Sequence, residues 1–518
     1  MNRRSMHSGR PLAAALALLL AAAVPARATT TPTIHFVEIN PGSDGSFAID
    51  QSDTIAFGDW LYFAADDGTH GSELWRTDGD TTQMVKDINP TAGQGSSVSD
   101  FAAMGGYLYF SASNGNTANG RELWRTDGTG AGTTMVKDIR VGTPGSNVTE
   151  LETLGGYVYF RANDGSIGEE LWRTDGTAAG TTLVMDIRPG GAISHSQPVY
   201  LTRFGDWIYF SADDGGSAGR ELWRTNGATT EPVKDINPGA PSSSPQYFTP
   251  IGIFLAFVAN DGTNGSELWV TDGTESGTHM VGDLNGSAGS FPNDLTAFDG
   301  ALYFSALDST GANPGRELFR SPNPTSVELA SDINPSGNSS PQGLVALGDR
   351  LFFQADDGTN GNELWSFDGT SSSLVADINP SDSSDPFYVS WGKVIGDALY
   401  FVASSDGSLG SLYRIEATAS TPEVVAPTDP TLWFTWNSCN NCGPTYLSVL
   451  GGRLFFSIGD DGSVYGQEFG YLDEPTYVAP ELPPTSRESS PWGVALVLFA
   501  ALTAAAGVRL LAREGERP

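Results

Sequence analysis

The side chains best suited to chemistry in this sequence are carboxylates in a loop that recurs along the chain. In its first copy the loop Asp66–Gly71 reads D-D-G-T-H-G, and Glu73 follows it. Carboxylate oxygens suit Ca²⁺, although their spacing differs from that of an EF-hand loop. Asp-Gly also supplies the left-handed backbone of a tight turn, and this structural interpretation is the favoured one, with no cofactor expected. The alternative calcium ligands are Asp67, Glu73, Asp164, Asp214 and Asp357.

A second pattern, Gly215–Gly219, spells the G-x-S-x-G of serine hydrolases around Ser217. That motif requires a strand-to-helix elbow together with His and acid partners. Here it occupies the same hairpin loop as the acidic copies, between two predicted strands, so we interpret it as turn composition. Histidines are scarce, and none stands in an H-E-x-x-H or other paired spacing that would indicate a zinc site. We therefore predict no linear catalytic motif and no catalytic residue.

The only two cysteines are Cys439 and Cys442, which stand in the segment Thr431–Pro444. In an exported protein, a short-range disulfide that fixes this loop is the first interpretation of such a pair. A redox site would place the first cysteine at a helix N-terminus, where its pKa is lowered. No helix is predicted here, so the sequence favours the disulfide.

The acidic loops belong to a longer repeated unit. Gly71–Gly79 reads G-S-E-L-W-R-T-D-G, and close copies begin at Arg121, Glu169, Arg220 and Ser266. Weaker copies extend the series, and the aromatic residue of each copy recurs at intervals of 46 to 56 residues, at positions 75, 124, 172, 223, 269, 319, 365, 413 and 469. A period this steady indicates a repeat architecture.

Each repeat contains four strand-like runs. Gly58–Ala65 is aromatic and apolar without polar alternation, as expected of a strand covered on both faces. The E-L-W run and Thr82–Ile88 follow, and the latter stops at Asn89-Pro90 because proline cannot donate to a sheet. A short run such as Val98–Met104 is the fourth. No stretch between residues 30 and 480 shows helical periodicity.

Four-stranded units of this length predict an all-β fold, a β-propeller of about 8–9 blades. An open β-solenoid or a chain of sandwiches is the alternative. Ile34–Pro41 repeats the sequence of a third strand ahead of the first full unit. We expect this strand to pair with the last unit and close the ring. Recurring basic and acidic residues are expected to form cross-strand ion pairs: Arg76 with Asp87, Arg125 with Asp138 and Arg224 with Asp235.

Two resemblances rest on these motifs. The E-L-W-x-x-D-G-T string resembles the ELWxxDGT repeat family of exported bacterial proteins over residues 34 to about 479. That resemblance implies export and no common catalytic activity. Ala65, Asp67, Gly71 and Trp75 are similar to the tryptophan-docking motif of eight-bladed quinoprotein propellers, in which the tryptophan packs blade against blade. This second resemblance implies a structural role for the motif.

The N-terminus reads as a secretory signal peptide over residues 1–28. Three arginines precede the apolar run Pro11–Val24, and Ala26 and Ala28 are the small residues that a signal peptidase requires. We predict cleavage after Ala28, with an uncleaved anchor as the alternative. The propeller ectodomain then spans residues 29–479.

The C-terminus predicts a membrane anchor. A Pro/Ser-rich spacer at 480–491 precedes an apolar helix at 492–511, long enough to cross the hydrocarbon core, and a basic cytoplasmic tail at 512–518. This tail resembles bacterial C-terminal sorting signals, partly similar to the IPTL type through Pro491-Trp492-Gly493. The resemblance implies surface sorting, and a plain anchor is the alternative.

Charge excludes one class of partner. The chain has 61 acidic against 27 basic residues, a net charge of −34, which repels the phosphates of nucleic acids. We expect a membrane-anchored or surface-sorted protein outside the cytoplasm, a binding or adhesion scaffold for an extracellular glycan or protein, without catalysis. One alternative is a secreted propeller enzyme (lyase, hydrolase or quinone-dependent dehydrogenase) with a site built from scattered loops. A structural envelope spacer is the other.

Overall fold

The computed structural model describes residues 33–37, 39–40, 46, 54–116, 119–216, 218–309, 315–387, 392–405, 410–425, 444–458 and 468–473. These residues form nine four-stranded antiparallel sheets. The first strands of neighbouring sheets contact one another, so they line a common axis and the sheets radiate from it as blades. The structure is therefore a nine-bladed β-propeller, which confirms the all-β prediction and fixes the blade count.

The strands of blades 1 to 4, each from the axis outward, are β2 (Ile55–Phe57), β3 (Trp60–Asp66), β4 (Ser72–Thr77) and β5 (Thr82–Lys86); β6 (Ser99–Met104), β7 (Tyr107–Ser113), β8 (Arg121–Thr126) and β9 (Thr134–Lys137); β10 (Thr149–Leu154), β11 (Tyr157–Asn163), β12 (Glu169–Thr174) and β13 (Thr182–Met185); β14 (Val199–Phe204), β15 (Trp207–Asp213), β16 (Arg220–Thr225) and β17 (Thr230–Lys234).

The strands of blades 5 to 8 are β18 (Gln246–Ile251), β19 (Phe254–Asn260), β20 (Ser266–Thr271) and β21 (His279–Gly282); β22 (Asn293–Phe298), β23 (Ala301–Asp308), β24 (Gly315–Asn323) and β25 (Ser326–Ser331); β26 (Gln342–Leu347), β27 (Arg350–Asp356), β28 (Asn362–Phe367) and β29 (Ser372–Ala376); β30 (Lys393–Ile395), β31 (Ala398–Ala403), β32 (Ser411–Glu416) and β33 (Glu423–Val424). Among the residues that the structure describes, a 3₁₀ turn, Gly286–Ala288, lies between blades 5 and 6.

Blade 9 joins the two ends of the repeat region. It consists of β34 (Pro444–Leu450), β35 (Arg453–Ile458), β36 (Glu468–Asp473) and, outermost, β1 (Thr33–Val37). The N-terminal strand pairs antiparallel with β36, from Thr33 opposite Asp473 to Val37 opposite Phe469. The Arg453 guanidinium also donates to the Asp78 carbonyl and, at 3.1 Å, to the Asp80 carboxylate of blade 1. The predicted closing strand is confirmed.

The blade boundaries differ from those expected of the sequence repeat. Val98–Met104, expected as the last strand of the first unit, supplies β6, which pairs with β7 and so begins blade 2. The outermost strand of blade 1 is instead β5. The segment that starts with Asn89-Pro90 therefore carries the chain from the rim of one blade to the axis of the next.

The E-L-W motif packs neighbouring blades together. Leu74 of blade 1 is fully buried against Leu108 and Phe110 of blade 2, and Trp124 of blade 2 joins the same cluster beside Val85. Equivalent clusters recur between later blades. Because each cluster draws on two blades, both faces of a blade are buried, which explains the absence of polar alternation in these strands.

The arginines of the motif have different partners from those expected. Arg76 stands opposite Gln83 in the sheet, whereas Asp87 lies beyond the end of β5 and out of its reach in register. Among the described ion pairs, Arg224 pairs with Glu231 at 2.6 Å instead of with Asp235. The Arg125 Nη1 donates to the Gly176 carbonyl of the next blade at 2.8 Å. These arginines fix turns and neighbouring blades.

The predicted signal peptide with its cleavage point at Ala28, the spacer, the anchor helix at 492–511 and the basic tail all fall outside the described residues. Within the part of the chain that the structure describes, no helix is long and apolar enough to cross a membrane.

Candidate functional site

The acidic loops, which carry most of the calcium candidates, are held by their own carboxylates. The Asp67 carboxylate accepts the Thr69 and His70 N–H groups, both at 2.9 Å, and contacts the His70 ring at 2.8 Å. Burial acts to raise the pKa of Asp67, but the hydrogen bonds from His70 and Thr69 lower it below its ordinary value. The same loop-capping geometry occurs at Asp164, Asp214 and Asp357.

Glu73, the remaining calcium candidate, has a different environment. Its carboxylate is fully buried and accepts the Ile88 and Asn89 N–H groups at 2.8 and 3.2 Å. It therefore holds the segment that follows β5, the outermost strand of its own blade, whereas Asp67 holds the loop between β3 and β4. The described residues contain no group of three or more His, Cys, Asp or Glu side chains placed to hold a metal ion. Calcium binding at these positions stays the alternative to the structural interpretation.

Glu73 is the first of seven buried glutamates, one in each of blades 1 to 7, that are at most 2% exposed. In blade 2 the Glu122 carboxylate accepts the N–H groups of Ile139, Arg140 and Ser146 and, at 2.6 Å, the Ser146 hydroxyl. It thereby ties its strand to both ends of the connection to blade 3. The equivalent residues are Glu73, Glu170, Glu221, Glu267, Glu317 and Glu363.

Burial raises the pKa of all seven buried glutamates, and hydrogen bonds to the carboxylates oppose the rise. For Glu122, Glu221 and Glu267 the pKa reaches about 7. A carboxyl group with a raised pKa is a common mark of catalysis. Here the sevenfold repetition and the satisfied hydrogen bonds show an architectural role instead.

The other sequence candidates are the hydrolase-like motif around Ser217 and the cysteine pair. The G-x-S-x-G segment lies between β15 and β16, two strands of one hairpin, and therefore lacks the helix that a nucleophile elbow requires. Ser217 itself lies outside the described residues, as do Cys439 and Cys442.

A row of residues with unusual backbone lies where the innermost strands begin. In blades 2 to 7 the second residue of that strand has φ between 54° and 68°, and the sheet register shifts beside it. Since every blade has the same topology, all six stand at one end of the ring, around the axis. We call them the inner row: Asp100, Glu150, Tyr200, Tyr247, Asp294 and Gly343.

Hydrogen bonds join neighbouring members of the inner row. Asp100 accepts the Glu150 N–H at 3.1 Å, and Glu150 in turn accepts the Tyr200 N–H at 2.7 Å. The Asp294 carboxylate accepts the Gly343 N–H. At these places the side chain of one member of the row therefore reaches the backbone of the member in the next blade.

In blades 4 and 6 an arginine makes hydrogen bonds to the segment that precedes the inner-row residue. Arg220 donates to the Gln197 and Ser211 carbonyls at 2.9 and 3.0 Å. Arg316 donates to the Phe291 carbonyl at 3.0 Å. Each guanidinium thus fixes the segment that leads into its innermost strand.

Exposed aromatic side chains stand at the inner-row position in blades 4 and 5 and three residues before it in blade 6. Tyr200, Tyr247 and Phe291 are 47%, 50% and 52% exposed, although large apolar rings are usually covered. Asp294 is the inner-row residue of blade 6, and burial raises its pKa to about 6, against the Gly343 hydrogen bond and the attraction of Arg316. We call Tyr200, Tyr247, Phe291 and Asp294 the mouth patch; it is the candidate functional site.

The backbone of the mouth patch is strained, and this gives a testable consequence. A non-glycine residue with φ near +60° costs about 1–2 kcal/mol, and such strain persists mostly at functional sites. Tyr247 has φ of 59°, whereas blade 7 carries Gly343 in the same place. We expect Tyr247→Gly to be more stable than Tyr247→Ala by about 1 kcal/mol, measured by urea unfolding. Equal stability of the two variants, or a more stable alanine variant, would contradict the strain.

No family model and no curated protein matches the chain. Several solved structures are similar in fold. One is puromycin hydrolase, at 12% identity and TM-score 0.38, over 82% of this chain and 61% of that one. Another is a prolyl endopeptidase, at 13% and 0.37, over 82% and 54%. A third is the β-propeller domain of the Trilobed protease from Pyrococcus furiosus, described as having an open velcro topology, at 11% and 0.32, over 64% and 98%.

The chain spans 54 to 61% of the length of the first two proteins, and at such identities the likeness concerns the fold alone. The expectation of a non-catalytic binding scaffold finds no support in these comparisons, whose named proteins are a hydrolase, a prolyl endopeptidase and the propeller domain of a protease.

Proposed function

We propose that this protein is a propeller hydrolase whose site is the mouth patch. The observation that supports the proposal is Asp294, a half-buried carboxyl group of the inner row with a pKa of about 6, which stands three residues after the exposed ring of Phe291. A carboxylate with a pKa near the working pH is a more effective general base than an ordinary one. The exposed rings of Tyr247 and Phe291 offer a surface for substrate.

In the proposed reaction, Asp294 removes a proton from a water molecule as the water oxygen bonds to the scissile carbon. The bond from that carbon to the leaving group then breaks, and protonated Asp294 returns the proton to the leaving group. Arg316 is a positioning residue, because its guanidinium is occupied by the Phe291 carbonyl and holds the segment that carries both Phe291 and Asp294.

The test is a screen of the purified protein against chromogenic esters, amides and glycosides, followed by Asp294→Asn. We expect the variant to lose roughly 100-fold or more in kcat/KM, the scale of general-base catalysis. In the wild type, kcat/KM should rise with pH to a plateau, with its midpoint near pH 6, since the base acts when ionised.

Asp100→Asn is the matched control for this prediction. Asp100 holds the same place in blade 2 but lies outside the mouth patch, so its variant should keep activity within about twofold. Absence of hydrolysis across the screen, or equal activity of the two variants, would contradict the proposal.

Location outside the cytoplasm remains part of the proposal. It rests on the N-terminal sequence pattern, which predicts a mature chain starting at Thr29. N-terminal sequencing of the protein recovered from its host gives a direct answer, since a chain that retains residues 1–28 would contradict cleavage.

A further inference from the structure

We propose that the backbone N–H groups of Tyr247 and Asp294 form a receptor for a carboxylate group of a bound ligand. The substrate class of the proposed hydrolase is then an ester or amide that carries a free carboxylate. This inference rests on the proposed function only for the hydrolysis, because carboxylate binding can be measured without any turnover.

The inner row itself shows what N–H groups in these places bind. In three pairs of neighbouring blades, the carboxylate of one member accepts the N–H of the next member. Asp100 accepts the Glu150 N–H at 3.1 Å, and Glu150 accepts the Tyr200 N–H at 2.7 Å. Asp294 accepts the Gly343 N–H. The protein's own carboxylates therefore serve as ligands of the row wherever the row has an acidic residue.

In the two remaining pairs the row has no such carboxylate. Tyr200 stands one blade before Tyr247, and Tyr247 stands one blade before Asp294. The hydroxyl group is the only acceptor atom of a tyrosine side chain, and it lies at the far end of the ring. Among the residues that the structure describes, no side chain accepts the N–H of Tyr247 or of Asp294.

The sheet offers these two N–H groups no regular partner either. The register of the innermost strand shifts at Tyr247 and again at Asp294, so neither residue stands opposite a residue of the adjacent strand. A backbone N–H is a strong donor, and one that the protein does not use is open to a ligand. The acceptor that fits is a carboxylate oxygen, because that atom occupies the equivalent place in the other blades.

Two guanidinium groups near these N–H groups supply positive charge. Arg220 and Arg316 donate to backbone carbonyl groups, and neither forms an ion pair with a described carboxylate. Burial raises the pKa of Asp294 and the charge of Arg316 opposes it, whereas burial lowers the pKa of Arg220 and the charges of Asp213 and Tyr200 oppose it. Each guanidinium therefore lies close to this part of the row, which favours an anionic ligand.

Saturation-transfer difference NMR tests the proposal with glutarate as the carboxylate probe. Glutaramide, which has the same skeleton without charge, and inorganic phosphate are the comparators. The titrations are run at pH 7.5 in 0.15 M NaCl, where the repulsion from distant carboxylates is screened. We expect glutarate to bind and glutaramide to bind at least about tenfold more weakly, since hydrogen bonds to a charged acceptor are the stronger ones.

A pair of double variants shows where glutarate binds. Tyr200→Glu with Tyr247→Glu gives each N–H group a carboxylate from the preceding blade, as Glu150 does for Tyr200. This variant should bind glutarate at least about tenfold more weakly than the wild type. Tyr200→Leu with Tyr247→Leu is the matched control, because it also removes both rings but adds no acceptor. It should keep the affinity within about twofold.

The melting temperatures of the two double variants give a second readout. The glutamate variant gains hydrogen bonds that the leucine variant lacks, so its melting temperature should be higher by roughly 1–3 °C. The same measurement shows that both variants are folded. Equal affinities of the two double variants for glutarate, or a glutamate variant no more stable than the leucine variant, would overturn the inference.

The remaining outcomes separate this inference from the proposed function. Glutarate binding that only the glutamate variant loses supports the inference even where Asp294→Asn keeps full hydrolysis, a result that overturns the proposed chemistry alone. Conversely, hydrolysis of neutral esters without any glutarate binding leaves the proposed function in place and overturns the carboxylate receptor. Binding of phosphate alone, or of glutaramide as tightly as glutarate, also overturns it.

Discussion

Replacement of Glu170 with alanine is expected to lower the free energy of unfolding by about 4 kcal/mol. The Glu170 carboxylate accepts the Ile187 and Ser196 N–H groups at 2.9 and 3.0 Å and the Ser196 hydroxyl at 2.6 Å. Alanine leaves these buried donors without a partner, at about 1–3 kcal/mol each, and opens a cavity. Because the donors lie on the connection between blades 3 and 4, the loss weakens the joint between two blades.

The adjacent residue is a matched control for that prediction. Glu169 stands on the same strand with its side chain 22% exposed, and its carboxylate lies 4.0 Å from the Arg161 guanidinium. An ion pair at this long distance that still reaches solvent contributes about 0–1 kcal/mol, so Glu169→Ala should change stability by less than about 1 kcal/mol. Urea unfolding of both variants gives the comparison. A loss below about 2 kcal/mol for Glu170→Ala would show that the buried carboxylate is not a structural joint.

The blades and their closure follow from the sequence because both rest on local patterns. The aromatic strands, the Asp-Gly turns and the Asn-Pro breaks each act within a few residues, and repetition makes them visible. The role of Glu73 and its equivalents could not be predicted in this way, since Glu122 reaches donors 17 to 24 residues away. From the sequence, Glu73 stands next to a loop rich in Asp and is only one of the alternative calcium ligands.

The mouth patch was not predicted. The sequence shows only that the connection containing Phe291 differs from its counterparts, because Asn285-Gly286 stands there in place of Asn-Pro. It gives no sign that Tyr200 and Tyr247 adopt left-handed backbone, a conformation that bulky residues avoid. Their exposure also depends on which strand is innermost, and the sequence repeat, with its shifted blade boundaries, does not reveal this.

The buried glutamates also predict an unusual dependence of stability on pH. For Glu122, Glu221 and Glu267 the pKa is about 7 in the folded protein, against an ordinary value of 4.5. Between these values the folded state binds more protons than the unfolded chain, so stability falls as pH rises through the window. Each shift corresponds to roughly 2–3 kcal/mol. The protein should therefore be more stable at pH 5 than at pH 7.5, by about 5–10 °C in melting temperature.

The other titrating groups do not reverse the expected fall of stability with rising pH. The loop carboxylates with lowered pKa values, such as Asp127, Asp175 and Asp368, lose their stabilising hydrogen bonds only as pH falls below about 4. Asp294, with its pKa of about 6, acts in the same direction as the buried glutamates. The self-repulsion of a chain with net charge −34 also weakens on acidification, but 1 M salt screens it.

Melting temperatures measured from pH 5 to 8 in 1 M NaCl therefore separate the titration of buried carboxyl groups from the self-repulsion of the chain. Glu221→Gln then measures how much one buried glutamate contributes to the pH dependence. Glutamine keeps the shape of the side chain but cannot titrate, so the variant should be less stable at every pH. Its stability should also fall less steeply with rising pH, by about the contribution of one titrating proton. A wild-type melting temperature that is flat or rises from pH 5 to 7.5 would mean that these carboxylates remain ionised in the core. Their hydrogen bonds to backbone N–H and serine hydroxyl groups would then outweigh burial, and the same bonds would be stronger than the Glu170→Ala prediction assumes.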